Sequence, residues 1–591
     1  MTATIRGRSV RRLLLIAAAT LGVAIAALVL LAPPRAARLT ADPRNPLELR
    51  GALHVHTTRS DGSGTIDQIA EAAASAGLQF VLFADHGDGT RAAAAPRYVS
   101  GVLCIDAVEI GTTAGHYIAL GLRGPAPYPL GGEPRDVVED VQRLGGFGIV
   151  SHPESPKPEL RWRDWTAPVP ALEWLNADSE WRDERPRSIA LALATYFVRP
   201  PEVIGSLMNH KSGLERWDLV SRRRRVVGVS GHDAHARIGL RGQPEPGVNE
   251  ITVRLPSYAA VFRAFAQRVL LASRPTGDAE HDARLVRRAI EAGHTYTVID
   301  AFAAPGRMEF EARSGDRTAA GGDDFTAATP VTISARVPHA HGVSLVLFRN
   351  GRVAASVDAP SLRHPVQPTS EMAVYRVEAR LPHRAAGKSV PWVVSNPIWI
   401  ATAIDRTPAR VDPPPADAVR RIFGGVEKGS WSLEKDATTG ASIESGTAPW
   451  GGRGLLLIYT LGQGMPRGQY AAAAAALDPT KLPDWDRVRF RAAGGRDMRL
   501  SVQVRDPATG RRWRRSVFLS KDPREVVVRL DEMSFAEPVL AGRPPRRKLD
   551  TLLFVVDTTN ARPGDRGRVW VGDIDLEREE KARQVRTVNS M

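Results

Sequence analysis

Short apolar runs alternate with helix-like periods over residues 46–305. Each run has the length of a strand. Between the runs, apolar residues recur every three or four positions, as at Ile66, Ile69, Ala70 and Ala73. Such alternation predicts strands joined by helices, the pattern of a parallel α/β sheet or barrel. A helical period also continues from Val261 to Val269, so we expect a helix there before a closing helix and strand.

From about residue 306 the period changes to two. Val331, Ile333, Ala335 and Val337 alternate with polar residues, and Asn350-Gly351 is a strong hairpin signal. We expect a small β-sandwich over 306–403. A proline-rich linker would follow over 404–419, since its prolines stiffen the chain.

Residues 420–578 are again rich in strand patterns, and a charged tail follows over 579–591. The segments Leu553 to Asp557 and Val569 to Ile574 resemble strands of galactose-binding-like jelly rolls, such as carbohydrate-binding modules. This resemblance implies a jelly-roll-like β-sandwich and makes a carbohydrate a candidate partner. For Trp431, Trp450 and Trp485 we expect core or rim positions rather than stacking on sugar rings.

The amino terminus carries one apolar run, Leu13 to Leu31, of 19 uncharged residues. As a helix it would span about 28 Å, close to the hydrocarbon thickness of a bilayer. The basic segment 1–12 has no acidic residue. The positive-inside rule therefore predicts a cytoplasmic amino terminus. We expect a single-pass anchor (13–31) in the inner membrane, a linker (32–45), and the bulk of the chain in the periplasm or outside the cell.

Cleavage is the alternative to anchoring. Ala36 and Ala37 would suit a cleavage site, and the protein would then be secreted. An apolar run longer than that of a typical signal peptide favours the anchor.

The 591 residues carry a formal net charge of +15, much of it arginine. Basic clusters occur at Arg222 to Arg225 and at Arg543 to Lys548, but no nucleic-acid-binding motif accompanies them. We therefore expect solvated basic loops and no nucleic-acid partner. The one cysteine, Cys104, lies in an apolar run and is expected to be a core residue.

Candidate chemistry begins at His54-Val-His56, which follows a partly apolar stretch and precedes Asp61. In a strand, residues i and i+2 project from one face, so the two imidazoles would point to the same place. Imidazole with carboxylate suits a divalent transition metal.

Four further segments also carry candidate metal ligands, and each combines an apolar run with polar residues at or near its end. They contribute His86, Glu109 with His116, His152, and Asp233 with His235. In α/β barrels the carboxyl ends of the strands carry the chemistry. The pattern predicts that these groups meet in one metal site.

The ordered motifs resemble the PHP (polymerase and histidinol phosphatase) family of metal-dependent phosphoesterases. The resemblance covers residues 46–305 and rests on His-x-His with Asp61, Asp85-His86, a Glu followed by Gly-His, His152-Pro153, and a closing Asp-x-His. It implies a distorted α/β barrel with a trinuclear site, bridged by Asp61 or Glu109. The nine implied ligands are all present: His54, His56, Asp61, His86, Glu109, His116, His152, Asp233 and His235.

Nine ligands exceed what one zinc ion takes, so we expect two or three divalent ions, zinc, manganese or iron. Clustered cations lower the pKa of bound water and hold phosphate oxygens. The leading hypothesis is a membrane-anchored hydrolase that cleaves a phosphoester with metal-bound hydroxide and no separate side-chain nucleophile. Arg237 is a candidate contact to the substrate phosphate.

Two alternatives stay open. The metals could instead support a carbohydrate- or envelope-binding protein. They could also cleave a C–N or C–O bond, since hydroxide between metals serves acyl and phosphoryl transfer alike. The substrate would be a small phosphoester or an envelope polymer.

Overall fold

A computed structural model describes most of the chain: residues 2–40, 45–208, 211–239, 252–253, 255–382, 389–406, 416–423, 431–463, 468–478, 480, 482, 484–536, 544 and 549–579. It begins with helix α1 (Thr2–Leu31), whose apolar stretch Leu14–Leu31 is not buried by the rest of the protein. Strand β1 (Ala37–Arg38) lies in the predicted linker and pairs with Ala303 and Ala304. By length and composition α1 could cross a membrane or act as a signal sequence.

Alternating strands and helices follow. They are β2 (Glu48–Val55), α2 (Ile66–Ser75), β3 (Phe80–Phe83), β4 (Arg97–Val99), β5 (Val102–Thr112), β6 (Gly115–Leu120), α3 (Pro134–Arg143), β7 (Phe147–Ser151), β8 (Ala171–Asn176), α4 (Ala177–Arg182), α5 (Pro186–Thr195), α6 (Pro200–Ser206), α7 (Lys211–Ser221), β9 (Val227–Ala234), β10 (Ile238–Gly239), β11 (Thr252–Val253), α8 (Tyr258–Ala264), β12 (Ala266–Leu270), α9 (Ala279–Ala292) and β13 (Thr295–Val298).

Seven of these strands close into a ring. The order is β2-β3-β5-β6-β7-β8-β9, and β9 pairs back onto β2. All neighbours are parallel except those of β6, which is antiparallel to β5 and β7. The carboxyl ends of six strands and the amino end of β6 therefore lie at the same end of the ring. This geometry brings together residues that are up to 181 positions apart, from His54 to His235.

The strands of the ring are buried on both faces, as their continuous apolar runs require. In β3, Phe80 and Leu82 belong to one buried cluster, which α9 joins, while Val81 and Phe83 belong to another that includes α2. Thr65 caps the amino end of helix α2: its side chain accepts a hydrogen bond from the Gln68 backbone and forms a capping box.

The helix expected from Val261 to Val269 is wrong beyond Ala264. Phe265 has extended backbone angles, and the chain continues as β12, which pairs antiparallel with β2 and β13. Val269 is buried among the strands. A nine-residue apolar window fits both periods, and strand pairing decided between them.

Strand β14 (Ala303–Ala304) forms a two-stranded sheet with β1. The next part of the chain is a β-sandwich built from β15 (Glu309–Ser314), β16 (Arg317–Ala320), β17 (Asp324–Thr326), β18 (Val331–Arg336), β19 (Ser344–Arg349), β20 (Arg352–Val357), β21 (Ser361–Val366), β22 (Ala373–Pro382), β23 (Ser389–Ser395) and β24 (Ile398–Ala401). One of its sheets has the order β16-β15-β18-β21. The other continues into the barrel sheet, because β23 pairs with β13. The two parts therefore share one sheet.

The carboxyl-terminal part is a second sandwich: β25 (Ala416–Phe423), β26 (Trp431–Lys435), β27 (Gly440–Thr447), β28 (Arg453–Thr460), β29 (Tyr470–Ala476), β30 (Arg487–Gly494), β31 (Met498–Arg505), β32 (Arg512–Leu519), β33 (Arg524–Arg529), β34 (Ser534–Phe535), β35 (Thr551–Asp557) and β36 (Arg566–Glu579). Its two antiparallel sheets each contain six strands. Strand β25 begins at Ala416, so the last four residues of the expected linker 404–419 are strand instead. Residues 580–591 of the expected tail, and most of the basic cluster Arg543 to Lys548, lie outside the described residues.

Two of the three tryptophans expected at core or rim positions pack in or against the core of this sandwich. Trp485 is buried, and Trp431 is half-buried and packs against Phe554. Trp450 is half-buried. Core and rim positions match the sequence expectation.

An arginine from this sandwich is buried against the barrel. Arg499, in β31, donates to Asp140 of α3 at 2.7 Å, and both side chains are about 1% exposed. Arg514 pairs with Glu133 at 3.0 Å, and Arg515 pairs with Asp136. Buried charges of opposite sign thus fix the sandwich beside α3.

Candidate metal centre

The strand ends bring all nine predicted ligands into one cluster. His54 lies near the end of β2, and His56 and Asp61 follow it; His86 comes after β3 and forms a bridge with Glu109 of β5. His116 opens the antiparallel β6, so it lies at the same end of the barrel. His152 follows β7, Asp233 lies in β9, and His235 comes just after it.

Glu109 is at the centre of the cluster and is 1% exposed. Its Oε2 lies 3.4 Å from His54 Nε2, 3.5 Å from His56 Nε2 and 3.1 Å from His86 Nδ1. Its Oε1 lies 3.2 Å from His116 Nδ1 and 3.0 Å from His152 Nε2. Because its two oxygens face different imidazoles, Glu109 has the geometry of a bridging carboxylate.

Asp233 and Asp61 extend the cluster on either side of His56. Asp233 Oδ1 lies 3.4 Å from His54 Nε2 and 3.3 Å from His56 Nε2. Asp61 Oδ2 lies 3.3 Å from His235 Nε2 and 3.5 Å from His86 Nε2. Asp61 and His86 are the more exposed members, so the cluster opens to solvent on their side.

Three overlapping groups have the spacing to hold an ion. Within each, the ligand atoms lie within 4.8 Å of one another: His56 with Asp61, His86 and His235; His54 with His56 and Glu109; and His86 with Glu109 and His116. His54 Nε2, His56 Nε2 and Asp61 Oδ1 are buried without a hydrogen-bond partner. Buried polar atoms are normally satisfied, so these three orphaned atoms fit divalent cations.

Three of the ligands have strained backbones. His54 has φ of 61°, His152 has 32° and Asp233 has 44°, and all three are non-glycine residues. The pairings of β2 with β3 and with β9 are irregular at the same point. Left-handed backbone costs about 1–2 kcal/mol per residue. In this protein the left-handed residues are themselves ligands, and their side chains point into the cluster.

Electrostatics favour the charged forms of several groups in the cluster, whereas burial and the neighbouring His235 lower the pKa of His56. Burial lowers the pKa of His54, but Glu173, Asp233 and Glu109 outweigh that effect and hold it well above its usual value. Burial likewise opposes ionisation of Glu109, yet the surrounding imidazoles keep its pKa well below the ordinary range. The pKa of His235 is raised to about 9: burial lowers it, and the bond to Asp61 more than compensates. The three carboxylates therefore stabilise positive charge at the centre of the cluster.

Sequence reasoning missed Glu173 and its role. This buried carboxylate of β8 lies 2.7 Å from His54 Nδ1 and accepts from the His152 backbone N–H and Asn176 Nδ2, both at 2.8 Å. Gly231 makes room for it, since a Cβ there would come within 2.0 Å of Glu173 Oε1. An acidic residue inside the apolar run 171–176 was the signal that could have found it.

A second missed residue is Tyr258, at the start of α8. Its hydroxyl lies 2.9 Å from the backbone oxygen of His56 and 3.0 Å from that of His235, which share its one proton, and it accepts from the Ser63 N–H at 3.2 Å. It therefore joins two ligand segments that are far apart in sequence. No spacing pattern marks it.

Two other residues singled out from the sequence are Asp85, of the Asp-His motif, and Arg237, the candidate phosphate contact. Asp85 binds the loop that follows His56: it accepts from the Thr57 N–H at 2.8 Å and from Ser60 Oγ at 2.7 Å. It thus shapes the loop that carries Asp61. Arg237 follows His235 by two residues and is half-buried.

His232, in β9, takes no part in the cluster. It is buried against Phe265, with its ring nitrogens bound to the Leu53 and Phe265 backbone oxygens.

No protein-family model matches the chain, and no curated protein matches it in sequence. Among solved structures it is similar to the family 11 carbohydrate-binding module of the cellulase Lic26A-Cel5E of Clostridium thermocellum, at 14% identity over 28% of this chain and 95% of that one, with a TM-score of 0.21. A mutant family 29 carbohydrate-binding module in complex with mannohexaose matches at 12% identity over 28% of this chain and 92% of that one, with a TM-score of 0.18. These neighbours are β-sandwiches, and likeness at this level assigns no ligand here.

Proposed function

We propose that this protein is a membrane-anchored, metal-dependent hydrolase of phosphate esters. The observation that carries the proposal is the convergence of six imidazoles and three carboxylates, from segments spread over residues 54–235, into one cluster with orphaned buried atoms. Five ordered motifs that resemble the PHP family support the same class of chemistry. The apolar helix α1 supports the anchor.

Different groups of residues would hold the two or three ions. Glu109 would bridge, because its oxygens face His54 and His56 on one side and His116 and His152 on the other. Asp61 would complete the group nearest solvent. Divalent ions bound there would supply activated water and charge neutralisation for a phosphate.

Protein groups would then bind and orient the substrate. The solvent-exposed side of the cluster, at Asp61 and His86, is the side that a phosphoester can approach. Arg237 is the candidate contact to its phosphate. Cys104 is no candidate nucleophile: it is buried in β5, and burial raises the pKa of its thiol to about 11.

The test uses the full chain in detergent, stripped of metal and reloaded with zinc, manganese or iron. Phosphomonoesters, phosphodiesters, carboxylic esters and amides are offered in parallel. We expect turnover of a phosphoester only after reloading, and its loss in His54→Ala and Asp233→Ala. The matched control is His364→Ala, a half-buried histidine of β21 outside the cluster, which should keep full activity.

Other outcomes separate the rival functions. Turnover of esters or amides alone would replace phosphoester cleavage with C–O or C–N cleavage. Metal binding without turnover of any substrate class would support a binding protein. Activity in the stripped protein would contradict the proposal altogether. A carbohydrate partner for the carboxyl-terminal sandwich stays a prediction, to be checked by retardation in polysaccharide-containing gels.

A further inference from the structure

Helix α5 presents an apolar surface to solvent. Leu191 is 43% exposed, Leu193 56%, and Phe197, two residues beyond the helix, 78%. Ala190 and Ala194 are exposed beside them, and no charged residue occurs from Ser188 to Val198. A contiguous exposed apolar surface of this kind marks an interaction site. We call Ala190, Leu191, Leu193, Ala194 and Phe197 the α5 patch.

The end of the anchor helix lies against α5. Helix α1 contacts α5, and within the apolar stretch only Leu28 is half-buried, while Ala32 just beyond is buried. The following chain is bonded near α5, where Arg199 Nη1 donates to the Pro33 oxygen at 2.5 Å. The Ala36 N–H donates to Glu202 of α6 at 3.3 Å.

This contact places α5 at the depth of a membrane surface. The 18-residue stretch Leu14–Leu31 has the length, about 27 Å, that crosses the hydrocarbon core, so its last turn would lie at the interface. Arg185 and Arg187 are exposed at the amino end of α5. Arginines beside an apolar helical surface suit a lipid interface, because their stems pack on apolar groups and their charges meet lipid phosphates.

The α5 patch is connected to the metal centre through hydrogen bonds. Tyr196, between the helix and Phe197, accepts from the Ser257 N–H at 2.9 Å. The next residue is Tyr258, whose hydroxyl binds the backbone oxygens of His56 and His235. The patch is thus anchored to the same short segment that holds two ligand loops together.

We propose that the α5 patch inserts into the surface of the bilayer that α1 crosses. Monotopic apolar surfaces of this kind reach about 5–10 Å into the headgroup and acyl boundary. The insertion is a second attachment beside the anchor, and it holds the metal centre close to the membrane surface. The inference rests on α1 spanning the bilayer and is independent of the reaction at the metals.

The test measures lipid contact of single positions in the full chain. Leu193→Cys and Phe197→Cys are labelled with a polarity-sensitive fluorophore and reconstituted into phosphatidylcholine vesicles containing phosphatidylglycerol, with or without acyl-chain spin labels. Both positions are exposed, so the substitutions should leave folding unchanged. The native Cys104 is buried, and the unsubstituted protein gives its background.

Two reference positions define the quenching expected without lipid contact and within the bilayer. Val353→Cys, 61% exposed in β20, reports a surface without lipid, and Leu21→Cys, 62% exposed in α1, reports the bilayer interior. We expect quenching at positions 193 and 197 to exceed that at 353 several-fold. Quenching at 21 but not at 193 or 197 would overturn the proposal, and so would absence of quenching at 21. Neither result bears on phosphoester turnover in detergent.

Discussion

Replacing Glu173 by glutamine tests whether a residue outside the ligand set holds the histidine ligands in position. Three donors surround the two carboxylate oxygens: His54 Nδ1 faces Oε1, while the His152 N–H and Asn176 Nδ2 face Oε2. His54 Nε2 points at the oxygens of Glu109 and Asp233, so its Nδ1 carries the proton that Glu173 accepts.

Glutamine has nearly the same shape but only one accepting oxygen. In either orientation of the amide, its NH₂ group meets an N–H donor, so one side of the site loses its bond. Loss of such a partner to a ligating histidine typically costs about 10- to 100-fold in metal affinity or activity. This corresponds to about 1.4–2.8 kcal/mol. We expect a loss of that size for Glu173→Gln.

The assay is competition with a chelator for zinc or manganese, followed by metal content after gel filtration. Glu154→Gln is the matched control: it lies near the centre beside His152-Pro153, but its carboxylate pairs with Arg216 at 2.7 Å and contacts none of the ligands. Wild-type metal affinity in Glu173→Gln, measured on folded protein, would refute the reasoning. An equal loss in Glu154→Gln would point to a general disturbance instead.

Three further predictions follow from the described contacts. Metal binding at neutral pH should release protons and tighten as pH rises toward 9, because the pKa of His235 is raised to about 9; calorimetry in buffers of different ionisation enthalpy measures the release. Arg499→Met leaves Asp140 buried with less countercharge and should lower the free energy of unfolding by about 3 kcal/mol in denaturant titrations. Gly62→Ala would place a Cβ 2.3 Å from a backbone oxygen, shift the loop of Asp61, and reduce the number of bound ions determined by mass spectrometry.

Matched substitutions control for these effects. Arg511→Met removes an exposed arginine of the same sandwich and should leave the unfolding free energy unchanged. Gly124→Ala adds a methyl group where no atom lies within 4 Å, and it should bind as many ions as the original protein. Buffer-independent calorimetric enthalpies would contradict the proton release.

The spacing of residues predicted which ligands could meet, but not how they are held. His54 with His56, and Asp233 with His235, carry a two-residue period that can be read directly from the chain, and strand ends indicated where they converge. Glu173 and Tyr258 act as single residues through bonds to distant segments, so no local pattern identifies them. The strained φ of His54 depends on the same distant contacts.

The hydrophobic pattern of the sequence also failed to predict two features of the fold. Val269 fits a helical period and yet lies in β12, since pairing with β2 outweighs local preference. The change to period two near residue 306 marked the start of a sandwich. It gave no sign that β23 would pair with β13, because that partner lies about a hundred positions upstream.

The sheet shared by β13 and β23 has a consequence for how the chain can be divided. A cut near residue 305, where the sequence pattern changes, would leave β13 with an open edge of unpaired amides and carbonyls. It would also remove Arg376, which binds Asp218 on α7 at 2.7 Å. A shortened protein that ends there should therefore aggregate through its exposed edge, and the smallest well-behaved fragment with the metal centre should extend at least through Ala401.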